Sequence, residues 1–194
     1  MVRCRTLSVA LFLILLWCPV RATAEQLCDP AAEDCRAILL NLIRSEPQAI
    51  DVAFWFMEDD RYASALIQRA QAGVRVRVIV DTRAPSPVNA QILAQLAAAG
   101  IPMRRRTSHG ILHWKTMLFA GLQTVEFSGA NFSPTAFVPI VPYVNYIDEA
   151  ILFSDDAPIV QSFMRRFDDL WTDTTSYTNY ANLAGTTSRR YPLY

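Results

Sequence analysis

Apolar positions along this chain alternate between a helical period and strand-like runs. Ala31 to Arg44 carries apolar residues at helical spacing, and Ala49 to Phe56 is an apolar strand-like run. Asp60 to Ala72 reads as a helix stopped by Gly73, and Val74 to Val80 as a valine-rich strand. The same alternation follows in a helix from Val88 to Ala99, stopped by Gly100, and a strand from Ile101 to Arg106. Two strands come next, Ile111 to Phe119 and Gln123 to Phe127, then a strand from Tyr146 to Phe153 and an amphipathic helix from Ala157 to Trp171. Strands alternating with helices predict an α/β fold: a mixed β-sheet flanked by helices, in one domain spanning 25–172. Residues 173–194 are polar, tyrosine-rich and weakly periodic, which predicts a tail over the surface.

The amino terminus changes the picture of where the chain works. Arg3 and Arg5 precede an uncharged apolar stretch from Leu7 to Trp17, and Ala22-Thr23-Ala24 has the small-x-small form of a cleavage site. Residues 1–24 therefore read as a signal peptide, and the expected location is secreted or periplasmic. Cleavage would remove three arginines and no acid, leaving fifteen basic against eighteen acidic side chains. A weakly acidic protein is not built as a general nucleic-acid binder. Export also bears on Cys28 and Cys35. In an oxidising compartment a disulfide is their first reading, with two buried thiols as the alternative. Asp29-Pro30 looks like a helix N-cap followed by proline at the first helical position.

The chain has a single lysine, Lys115, against seventeen arginines, and it stands two residues after His113, one of two histidines. Residues two apart on a strand share a face, so His113 and Lys115 are expected to point the same way. A compact cation beside an imidazole suits chemistry on an anion. The next strand ends in Ser128-Gly129-Ala130-Asn131, where small residues let backbone N–H groups approach a bound oxygen and Asn131 adds a neutral donor.

This segment resembles the signature of the phospholipase D superfamily: His-x-Lys, four residues, Asp, then Gly-Ser-x-Asn. His113, Lys115 and Asn131 match position by position, while Ser128-Gly129 reverses the usual Gly-Ser. Ala120 stands where the family has Asp, followed by a matching Gly121, and the spacing to the asparagine is one residue longer than usual. Tyr146-Ile147-Asp148-Glu149 resembles the downstream strand whose glutamate positions the active histidine. The resemblance implies a half-domain of the phospholipase D type that cleaves phosphodiesters without metal or other cofactor. His113 would attack phosphorus to give a phosphohistidine, with Lys115 and Asn131 on the phosphoryl oxygens, Ser128 and Gly129 binding substrate, and Glu149 orienting the imidazole. A second histidine would protonate the leaving oxygen. The family uses two copies of the signature and this chain carries one, so either a homodimer completes the site or a second half is encoded elsewhere. The family's Asp is expected to support a loop rather than touch substrate.

Phospholipid is the expected substrate, from export, acidity and the apolar, proline-broken loop 134–143, which could touch a membrane surface. Nucleic acid is the alternative, since Arg104, Arg105 and Arg106 could line an anionic cleft or simply alternate toward solvent. A non-catalytic half-domain that binds phosphate groups or a partner chain is the rival of a different class. His109 reads as a solvated turn residue, and Arg75 and Arg77, on one strand face, as exposed or ion-paired. No glycine-rich nucleotide loop, no Gly-x-Ser-x-Gly elbow and no metal-ligand spacing is present in the sequence.

Overall fold

A computed structural model describes residues 25–141, 148–183 and 188–191. The expected signal peptide, the start of the Tyr146 strand and the last residues of the 134–143 loop lie outside them. Eight strands form one mixed sheet in the order β1-β7-β6-β5-β2-β3-β4-β8. The strands are β1 (Gln26–Cys28), β2 (Ala49–Phe54), β3 (Arg75–Val80), β4 (Met103–Arg106), β5 (Lys115–Phe119), β6 (Thr124–Ser128), β7 (Ile151–Ser154) and β8 (Tyr177–Ala181). The helices are α1 (Cys35–Ser45), α2 (Asp60–Gln71), α3 (Pro87–Ala98) and α4 (Ala157–Thr172). β2, β3 and β4 run parallel, joined by helical crossovers, and the other pairings between these strands are antiparallel.

Helices α1 to α3 cover one face, through Leu39, Ile43, Tyr62, Leu66, Ile92 and Leu96, against Ile50, Val52, Val78, Met117 and Phe119 of the sheet. Helix α4 covers the other through Val160, Met164, Phe167 and Trp171, against Ala53, Ile79, Leu118 and Val125. Every residue of β2 is buried, as a central strand sandwiched by helices requires. Side-chain caps set the helix starts: Asp34, Asp59, Ser86 and Asp156 each accept a backbone N–H of the first turn. Gly73 and Gly100 follow α2 and α3 with φ of 89° and 79°, where a side chain would be strained.

Two expectations shift and one, the disulfide, holds. The cap of α1 is Asp34, whose side chain accepts from Ala37 N–H at 2.9 Å, and not Asp29. Asp29 closes a separate turn on the Ala31 N–H. Cys28 and Cys35 are joined by a disulfide that ties β1 to the first turn of α1. The segment expected to run over the surface after Thr172 supplies β8, the outermost strand beyond β4.

Arg77, expected to be exposed or paired, is buried. It forks onto Asp51 at 2.8 and 2.7 Å and reaches Asp168 of α4 at 2.8 Å. Its guanidinium lies 5.1 and 5.0 Å from the ring centres of Phe167 and Trp171. The distal chain closes the cluster: Arg190 reaches Asp51 at 2.6 Å, Tyr191 hydroxyl donates to Asp51 at 2.9 Å, and their backbone N–H groups donate to Asp168. Arg104 is also spent inside the fold, on the carbonyls of Trp171, Asp173 and Tyr177 at the end of α4.

Glu126, on β6 opposite Met117, is completely buried, and burial pushes its carboxyl up to about 8. Neither carboxyl oxygen has a hydrogen bond of normal geometry, although the Ser128 hydroxyl and the Met117 N–H lie close enough to favour its charged form. The unfolded chain loses this proton near the ordinary 4.5, so stability declines as pH rises from there toward 8. Glu126→Gln is expected to melt close to the wild type at pH 5 and above it at pH 8. An unchanged gap between the two pH values would show that Glu126 does not carry this proton.

Candidate active site

The site forms where β2 and β3 end, β5 begins and β6 ends. Lys115 pairs with Phe54, the last residue of β2, so the chain before it has no further rung to join. Ile111 to Trp114 is therefore not the expected strand. It is an extended approach held by three contacts: Leu112 N–H donates to Asp81 Oδ2 at 3.0 Å, Trp55 N–H donates to the Trp114 carbonyl at 3.0 Å, and Arg83 bridges Asp81 and the Gly110 carbonyl. These contacts deliver His113 beside Lys115 without strand geometry. Asp81 and Arg83 drew no notice in the sequence, because nothing in their spacing marks a loop 31 residues downstream.

Lys115 Nζ lies 2.9 Å from His113 Nδ1 and 3.0 Å from Nε2. An ammonium so close opposes a second positive charge, and it can donate only to an unprotonated ring nitrogen. Partial burial and Lys115 together hold the His113 pKa below the ordinary imidazole value. Lys115 itself is 2% exposed. Burial lowers its pKa, and the charge of Glu149 counters that. The resulting pair is a neutral imidazole, exposed at the surface, beside a sunken cation.

Glu149 is half-buried, with its pKa raised by burial against the pull of Lys115. Its carboxylate crowds Gly129, where a Cβ would meet Oε2 at 2.7 Å. Among the described residues no hydrogen bond joins Glu149 to His113, and the charge of Glu149 is felt at Lys115. His113 instead neighbours the Trp55 ring, centroid to centroid 6.1 Å. Phe127 pairs with Thr116, which puts Ser128 at the level of Lys115. The Ser128 hydroxyl donates to the Ala130 carbonyl within its own turn, and Gly129 is exposed. Asn131 is half-buried, and its Oδ1 has no hydrogen-bond partner. His109 is exposed, and its carbonyl accepts from Arg106.

Two sequence expectations about the surroundings are corrected. Arg104 and Arg106 do not line a cleft at this site: the first is buried at the end of α4, and the second bonds Tyr177 and the His109 carbonyl. Phe137, in the loop read as a membrane contact, is fully buried against Tyr62 and Phe132. The loop is pinned there because Arg36 N–H donates to the Phe137 carbonyl and the Arg36 guanidinium to that of Pro134.

The departure at Ala120 finds its counterpart in Glu46. Its buried carboxylate accepts four backbone N–H groups, from Gln48, Ala49, Gly121 and Leu122, at 2.7 to 3.0 Å. The last two belong to the β5–β6 turn, at the point where the family's Asp would stand. A Cβ on Gly121 would come within 2.6 Å of Glu46 Oε1, so the turn approaches that carboxylate only as glycine. Glu46→Ala orphans these donors and is expected to cost about 2–4 kcal/mol in urea unfolding. A cost below about 0.5 kcal/mol would show that the turn holds without it.

The fold is shared with solved proteins. Nuc from Salmonella typhimurium, a phospholipase D family member, superposes with a TM-score of 0.68 at 21% identity, over 82% of this chain and 99% of that one. NucT from Helicobacter pylori gives 0.66 at 16% identity, over 81% and 99%. The family model described as cardiolipin synthase, PLD-like domain, matches residues 39–171, and this chain belongs to that family. It is 28% identical over 145 residues to the mitochondrial cardiolipin hydrolase of Xenopus laevis and 30% identical over 143 residues to that of Xenopus tropicalis. The matches cover 74% and 72% of this chain, and 64% and 63% of those relatives' own length.

Proposed function

We propose that this protein is an exported, metal-independent phosphodiesterase that cleaves phospholipid phosphodiester bonds through a phosphohistidine at His113. The observation that carries the reading is the contact of Lys115 Nζ with the ring nitrogens of His113, which keeps the nucleophile unprotonated beside a fixed cation. The imidazole nitrogen attacks phosphorus, the P–N bond forms, and the alcohol oxygen leaves with the bonding pair. Lys115 and the Asn131 amide take the non-bridging oxygens, the exposed Gly129 turn lets them approach, and Glu149 sets the charge of Lys115. A second histidine protonates the leaving oxygen. With one signature per chain, a second copy of this protein supplies it across a twofold axis. Water then attacks the phosphohistidine, its proton passing to the second histidine that was left neutral by the first step, and the P–N bond breaks to release a phosphomonoester and the free imidazole. The relatives named cardiolipin hydrolase support a phospholipid substrate, and the basic run that favoured nucleic acid is reduced, since Arg104 is spent inside the fold while Arg105 stays exposed. The Cys28–Cys35 disulfide fits an oxidising compartment.

The test offers three substrates to the purified chain in the presence of EDTA: bis(p-nitrophenyl) phosphate, cardiolipin vesicles and single-stranded DNA. Hydrolysis of the first two is expected. Cleavage of DNA and not of lipid would transfer the reading to a nuclease, and no turnover of any substrate by a folded dimer would make the chain a binding half-domain. Because His113 acts unprotonated and its pKa is lowered, the acid limb of kcat/KM is expected below the ordinary imidazole value of 6.5. A limb above 6.5 would contradict the neutral His113–Lys115 pair.

A further inference from the structure

Trp114 stands between the two groups of the proposed chemistry, yet its indole leaves them. Side chains alternate across the sheet, so Lys115, Met117 and Phe119 face helices α1 to α3, while Trp114 and Leu118 face α4. There the indole meets Phe163 edge-on with centroids 5.8 Å apart, and Phe163 lies against Phe127 at 4.8 Å. Trp114, Ser162, Phe163 and Arg166 line an open cleft of about 230 Å³. Its rings are only partly covered, whereas Phe167 and Trp171 further along the same helix are completely buried. Arg166 is exposed at the rim, and Ile111, two residues before His113, is 52% exposed. Half-covered aromatic rings beside a long cationic side chain are the pairing found where protein meets the lipid–water boundary.

We propose that the Trp114–Phe163–Arg166 cleft is a lipid-surface contact, which takes the acyl region of an anionic phospholipid. The inference rests on the phospholipid reading above. Its occupant follows from the lining. The lining is two aromatic rings with one indole N–H, one hydroxyl and one guanidinium, a mostly apolar surface with a single charge. The rings pack on each other edge-on or tilted. Arg166, exposed at the rim, complements a phosphate charge.

Partition is measured by sedimentation with vesicles of phosphatidylcholine, alone and mixed with phosphatidylglycerol, so the result does not depend on turnover. Phe163→Ser is expected to weaken binding to both about tenfold. Arg166→Glu is expected to weaken binding to the anionic vesicles about tenfold and leave the neutral ones unaffected. Thermal melting checks each fold, and if Phe163→Ser does not fold, the exposed Arg166→Glu decides alone. Wild-type partition in both variants overturns the proposal, as does a wild type that ignores vesicles while still hydrolysing bis(p-nitrophenyl) phosphate. A Phe163→Ser protein that turns from dimer to monomer with vesicle binding intact also overturns it, and makes the cleft a contact between copies.

Discussion

Alanine at His113 is expected to lower kcat/KM for phosphodiester hydrolysis by about 10⁴-fold or more while leaving the melting temperature unchanged. The two halves of this result have separate causes. His113 is exposed, contacting Lys115 and tilted near Trp55, so its removal opens no core cavity, orphans no backbone group and admits water to the Lys115 ammonium. Surface changes of that kind move stability by about 0.5 kcal/mol at most. Activity falls because the covalent route needs this nitrogen, and among the described residues His109 is the only other imidazole, placed in an exposed turn with no catalytic partner. Steady-state hydrolysis of bis(p-nitrophenyl) phosphate alongside a thermal melt checks both halves. A loss of less than about tenfold would mean that His113 only binds.

Arg77→Met is expected to destabilise the fold by about 3–5 kcal/mol, the largest effect on stability of any single change considered. Methionine matches the length of the stem but strips two buried carboxylates, Asp51 and Asp168, of the fork they share. Arg190 still reaches Asp51, whereas Asp168 keeps only backbone N–H groups. The aromatic sandwich of Phe167 and Trp171 also loses its cation. Arg75 gives the internal comparison. It lies two residues earlier on the same face but is exposed, so Arg75→Met is expected to shift urea unfolding by less than about 0.5 kcal/mol. Equal effects at the two positions would show that the buried network is not what holds α4 to the sheet.

The elements that set the layers were legible because each carries its own period and its own stop. Gly73 and Gly100 marked the ends of α2 and α3, and the β-branched run before Asp81 marked β3. What escaped depends on contacts between distant residues. β1 has three residues and β8 is polar, and each becomes a strand only because β7 or β4 offers an open edge. Two aspartates of equal capping ability precede α1, and tertiary geometry chose Asp34. The pairing of His113 with Lys115 was legible, but for an incomplete reason: strand alternation ends at Lys115, and the Asp81–Arg83 clamp brings the imidazole in. Glu46 takes up the turn that lacks the family's Asp from 75 residues away, a contact that no local pattern announces. Phe137 looked like a surface anchor among prolines and is instead core, where Arg36 binds its own carbonyl and that of Pro134.

The central claim is covalent catalysis at His113, and trapping the intermediate tests it most directly. The wild-type chain is mixed with bis(p-nitrophenyl) phosphate, quenched in alkaline denaturant within milliseconds to preserve a phosphoramidate, and digested for mass spectrometry. The account predicts one p-nitrophenyl phosphoryl group on the peptide containing His113, formed as the first p-nitrophenolate is released and absent from the His113→Ala protein. Release of p-nitrophenolate with every histidine-containing peptide unmodified, together with turnover by His113→Ala, would contradict it.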